Sequence, residues 1–113
     1  MAAIDDLLAL VADLDKTLAS IEAVSDLPGK RAEVVKLEDE AAAPDLWNDQ
    51  ENAQRVTSRL SRVQAELDRI SSLRSRLDDA GVLIELAQEE ADAASLAEAD
   101  RDVRKLATEI EAL

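Results

Sequence analysis

Cysteine, histidine, phenylalanine and tyrosine are all absent from the 113 residues. Without cysteine there is no disulfide and no thiolate to bind a metal. Without histidine as well, the common nucleophile–base pairs of covalent catalysis are unavailable. Only two glycines occur, Gly29 and Gly81, so no glycine-rich loop can cradle a phosphate. The longest purely apolar run is residues 7–12, far short of the roughly 20 residues of a membrane helix. Met1 leads into Asp5 and Asp6 rather than a basic segment, so no secretory signal is expected. These absences predict a cytosolic (cytoplasmic) protein with no catalytic residues, no cofactor and no metal.

Basic charge is also scarce. Thirteen Lys and Arg face 26 Asp and Glu, for a net charge of -13. Residues 1–54 carry 13 acids and 4 bases, residues 55–77 carry 2 and 6, and residues 78–113 carry 11 and 3. The ends are acidic, the centre basic, and every base of that centre is Arg. A chain this acidic is a poor general nucleic-acid binder, and no DNA partner is expected.

What remains is Ala, Leu, Val and Ile at helical spacing. Ile4, Leu7, Leu8, Val11, Leu14, Leu18 and Ile21 form one stripe of a first helix. Ser25-Asp26-Leu27-Pro28-Gly29 interrupts it, with Asp26 or Leu27 at the cap and Pro28 in the first turn of a second helix over 28–42. Val34, Leu37 and Ala41 face inward there, and Pro44 stops that helix. Asp49 (or Asn48, with Glu51 closing a capping box) caps a third helix, about 48 Å long over 49–80. Its Val56, Leu60, Val63, Leu67 and Ile70 form a heptad seam. Leu73 then arrives one residue early, and Leu77, Ala80, Ile84 and Ala87 continue a shifted seam, which rotates the buried face. Gly81 ends or kinks the helix, and Ser95 with Glu98 caps a shorter last helix. Nothing reads as strand. The expected fold is an all-α, antiparallel, three-helix-like bundle, a single domain over residues 1–113.

Three features could carry function. Glu85 and Glu89 share a helix face, but bundle di-metal sites pair Glu with His, so these read as a solvated acidic face. Arg55, Arg62, Arg69 and Arg76 recur every seven residues, with Arg59 beside the row. They either pair with acids of neighbouring helices or form a docking stripe for RNA or a protein. Trp47, the only aromatic residue, is expected to anchor the turn between helices together with Pro44 and Asp49, its burial contributing on the order of 3 kcal/mol; the alternative is an exposed anchor for a binding partner.

The turn carries a resemblance. Asp26-Leu27-Pro28, Leu37-Glu38, Pro44-Asp45-Leu46-Trp47-Asn48-Asp49, Ala53-Gln54 and the stretch Gly81-Val82-Leu83-Ile84-Glu85-Leu86-Ala87 resemble the N-terminal domain of the bacterial release factor 2 family. The likeness covers residues 26–113. It departs at Gln50, where family members often have Pro, and the sister release factor 1 group generally lacks the Trp-containing turn. The resemblance implies an accessory, ribosome-binding module of a translation termination factor. Such factors read stop codons through a Ser-Pro-Phe tripeptide and trigger peptidyl-tRNA hydrolysis through Gly-Gly-Gln, both in later domains and neither present here. It further implies contacts with the ribosomal stalk-base protein and its rRNA, and with the factor's own later domains. No motif marks the contact residues; the row Arg55, Arg59, Arg62, Arg69 and Arg76 is a candidate from its spacing alone. The isolated domain is expected to be a monomer that touches no membrane. The competing readings are a homo-oligomeric coiled-coil adaptor, suggested by the 56–70 seam, and an RNA-binding helical module.

Overall fold

A computed structural model describes residues 2–113. Four α-helices and one short 3-10 turn account for its regular structure, with no strand among the described residues: α1 (Ala2–Val24), α2 (Leu27–Ala41), the turn Leu46–Asn48, α3 (Gln50–Glu89) and α4 (Ala93–Glu111). The chain is all-α, as the periodicity predicts.

The helix ends follow local chemistry. Asp26 adopts the left-handed region (φ 49°), and its carboxylate accepts the Gly29 N–H at 3.2 Å, opening α2 with Pro28 in the first turn. A Cβ at position 29 would overlap that carboxylate, so glycine lets the Asp26 cap approach this closely. Asp49 accepts the Asn52 N–H at 3.2 Å and opens α3. Gly81 does not end α3, which continues to Glu89 with glycine in ordinary helical backbone. The start of α4 corrects another expectation: Asp92, not Ser95, is the N-cap. Its carboxylate accepts both the Ser95 N–H (3.1 Å) and the Ser95 hydroxyl (2.8 Å). The cap moves upstream because Ala91 turns left-handed (φ 52°), ending α3 with the Asp92 N–H on the Ala87 carbonyl. Asp92 thus closes one helix and opens the next.

The chain folds as two compact units. The first combines the residues up to Glu22 with Ser71–Leu113, so α1, the second half of α3 and α4 form a three-helix bundle. Its core is Leu7, Leu14, Leu18, Leu73, Leu77, Ala80, Ile84, Ala99, Val103, Leu106 and Ile110. The second, Ala23–Ile70, is a hairpin of α2 against the first half of α3. Lys30 pairs with Glu66 and Glu33 with Arg59, so the two helices of the hairpin run antiparallel. Its core is small: Leu37, Leu46, Ala53 and Val56, flanked by Ala41 and Leu60.

The seam of α3 changes rows as the chain passes between units. Val56, Val63, Ile70, Leu77 and Ile84 are buried at intervals of seven throughout. In the hairpin the companion row is Ala53, Leu60 and Leu67; in the bundle it is Leu73, Ala80 and Ala87. The first row would continue at position 74, which is Arg. An arginine cannot enter an apolar core unpaired, so the seam shifts to Leu73.

Candidate functional site

The turn between α2 and α3 comes first. Trp47 does not staple it: this residue is 60% exposed, and its neighbour Leu46, 7% exposed, enters the hairpin core with Leu37, Ala53 and Val56. Successive residues of one tight turn point in different directions, so a single side chain can face the cleft between α2 and α3. Here it is Leu46, clustered with Leu37, Ala53 and Val56. Pro44 is exposed just beyond the end of α2, and Asp49 caps α3.

The arginine row divides. Arg59 forms a two-pronged pair with Glu33, Nε to Oε1 at 2.6 Å and Nη2 to Oε2 at 3.1 Å. The hydrogen bond from Arg59 holds the Glu33 carboxyl below its usual range. Arg76 pairs with Glu109 at 2.7 Å, which raises the guanidinium pKa further. Arg55 donates to Asn52 Oδ1 at 2.8 Å. Arg62 and Arg69 are exposed and have no ion-pair partner among the described residues. Arg55, Arg59 and Arg62 come together with Lys36 along an open groove of the hairpin, which Glu33, Glu40 and Glu51 also line. Arg69 and Arg76 do not line it.

The most engaged arginine lies outside the predicted row. Arg74 donates to both oxygens of Glu22, at 2.6 and 3.3 Å, and to Asp15, both on α1, and stands 3.7 Å from Asp78. These partners, Glu22 above all, push its pKa up despite partial burial. The signal was present in the sequence: position 74 continues the Ala53, Leu60, Leu67 row, so its side chain must lean toward a neighbouring helix.

Charge separates with the units. The bundle carries sixteen acids and six bases, the hairpin ten and seven. Among the described residues no three acidic side chains gather closely enough to hold a metal ion, and no helix is long and apolar enough to cross a membrane. What the described residues present is a mixed-charge groove, in which Arg62 alone of three arginines has no side-chain partner, and a turn rich in acids bearing an exposed indole.

Residues 30–113 match the PCRF domain family. The chain is 55% identical over 104 residues to peptide chain release factor 2 of Mycobacterium avium, covering 90% of this chain and 28% of that protein. It is 52% identical over 103 residues to the release factor 2 of Mycobacteroides abscessus, covering 91% and 28%. With that of Kineococcus radiotolerans it shares 55% over 96 residues, covering 85% and 26%. The chain thus spans little more than a quarter of the curated relatives it matches. The match takes in most of α2, the Trp47 turn, α3 and α4, the elements that build the hairpin and most of the bundle, and the chain belongs to the PCRF domain family.

Proposed function

We propose that this chain is the N-terminal domain of a translation termination factor of the release factor 2 type. In this reading it is a cytoplasmic accessory module that docks toward the ribosomal stalk base. The full-length factor recognises stop codons and triggers hydrolysis of peptidyl-tRNA through later domains. The observation that carries the reading is identity of about half, across nine-tenths of the chain, to proteins of that name. The absence of histidine and cysteine in this chain agrees with a binding role for this part.

Within this reading, Arg55, Arg62 and Arg69 are the contacts to rRNA, because planar guanidinium groups match phosphate oxygens in pairs. Arg59 and Arg76 reach phosphate only by leaving Glu33 and Glu109, so they contribute less. The separation of two small cores with different α3 rows favours a folded module over a homo-oligomeric coiled coil, which needs one sustained seam.

The test is release of formyl-methionine from ribosomes stalled at a stop codon. The full-length product of the gene should release it, and the 113-residue chain alone should not. A full-length product that binds ribosomes but gives no release refutes the reading.

A further inference from the structure

The hairpin is held more lightly than the bundle. Its core has four buried side chains against eleven, and α2 supplies one of the four, Leu37. Val35 of the same helix is 61% exposed. Leu37 and the partly buried Ala41 tie α2 to the core, and two surface ion pairs, Lys30 with Glu66 and Glu33 with Arg59, tie it to α3. Exposed pairs of this kind add little. At the start of α2, Asp26 occupies the left-handed region, a costly conformation for a residue with a Cβ. A helix of 15 residues is marginal in water on its own, so α2 melts once it leaves α3. The first half of α3 fares differently. It continues unbroken into the second half, which supplies a helical nucleus without α2.

The same helix carries most of the acids in the arginine groove. Glu33, Lys36 and Glu40 line it from α2; Glu51, Arg55, Arg59 and Arg62 line it from α3. With α2 in place three acids stand among four bases, and without α2 one acid stands among three. Arg55 shares a second cavity with Asp45 and Asp49, so the change falls on Arg62 and on Arg59, which loses Glu33. We propose that α2 is a strap: it opens from α3 as one unit while the bundle stays folded, and while closed it withholds Arg59 from anions. Opening also uncovers Ala53, Val56 and Leu60, the α3 side of the hairpin core. The proposal goes beyond the release-factor reading and does not depend on it.

Native-state hydrogen exchange of the 113-residue chain, followed residue by residue by NMR, tests the opening. The hydrogen-bonded amides of α2, residues 31–41, should exchange as one group, with about a hundredfold less protection than those of Val103, Leu106 and Ile110 in α4. Leu37→Ala should lower α2 protection by about another thirtyfold and leave α4 within about threefold of wild type. Equal protection of α2 and α4, or a matching fall in both, overturns the strap. Titration with inorganic polyphosphate at low salt tests the withholding of Arg59. Leu37→Ala should bind it at least about threefold more tightly than wild type, and Arg59→Ala in that background should remove the gain. No gain, or a gain that survives Arg59→Ala, overturns it. The stop-codon release assay reads neither quantity, so the release-factor reading can fail separately.

Discussion

Truncating Leu46 and truncating Trp47, neighbours in one turn, should have unequal effects on stability, and in the opposite order to their size. Leu46→Ala removes three carbons from a core of four buried side chains. At about 0.8 kcal/mol per carbon the lost transfer energy is roughly 2.4 kcal/mol. A core this small collapses only partly around the gap, which brings the cost to about 3 kcal/mol. Trp47 keeps 60% of its surface in water. The covered remainder is about 100 Å² of a side chain that hides up to about 250 Å² when buried, a ceiling near 2.5 kcal/mol at ~25 cal/mol per Å². Backbone, the alanine Cβ that remains, and surface already hidden in the unfolded chain take up more than half of that. Trp47→Ala should therefore cost about 1 kcal/mol. Thermal melts followed by circular dichroism at 222 nm should show a fall of roughly 10 °C or more for Leu46→Ala and roughly 4 °C for Trp47→Ala. A larger fall for Trp47→Ala would refute the assignment of Leu46 as the packing residue of the turn.

Gly81→Ala should raise stability by about 1 kcal/mol in the same melts, since Gly81 is helical and an added Cβ meets open space; a lower midpoint would show an unseen steric role. Arg74→Ala should cost about 1–2 kcal/mol in urea titrations by freeing Asp15 and Glu22, whereas Arg69→Ala should stay within about 0.5 kcal/mol. Equal effects would refute the division of the arginines. Asp92→Ala should lower the midpoint by roughly 3–5 °C at neutral pH through loss of the α4 cap. The Ser95 hydroxyl and N–H depress the Asp92 pKa below its ordinary 3.8, so the cap contributes fully above that pH and is lost as pH falls through the depressed value. The gap between variant and wild type should therefore narrow below about pH 3.8, and a constant gap down to pH 2 would count against the cap.

The helices were legible because each carries an apolar stripe that only one face can bury. The shift at Leu73 was legible for the same reason, and an arginine at position 74 marks its cause in the sequence; the partners of that arginine, Asp15 and Glu22, are known only from the structure. The division into hairpin and bundle was not legible, because α3 runs unbroken through both and its pattern records a change of row rather than a stop. Trp47 was misplaced by an argument from size. Bulk makes burial favourable but does not make room, and in this turn only Leu46 points at the cleft. Ser95 was misplaced by a sequence pattern that Asp92, with the left-handed Ala91 before it, satisfies one turn earlier. Of the arginine row, the spacing was legible and the occupancy was not: pairing depends on what α2 and α4 place across from each position.

Trp47 is also the chain's only strong near-ultraviolet chromophore. Because the indole sits largely in water in the folded state, unfolding should alter its emission little. A partner that covers it should instead move the emission to shorter wavelength. The optical signal of this domain is thus suited to reporting association and nearly silent on folding, the reverse of what a buried tryptophan offers.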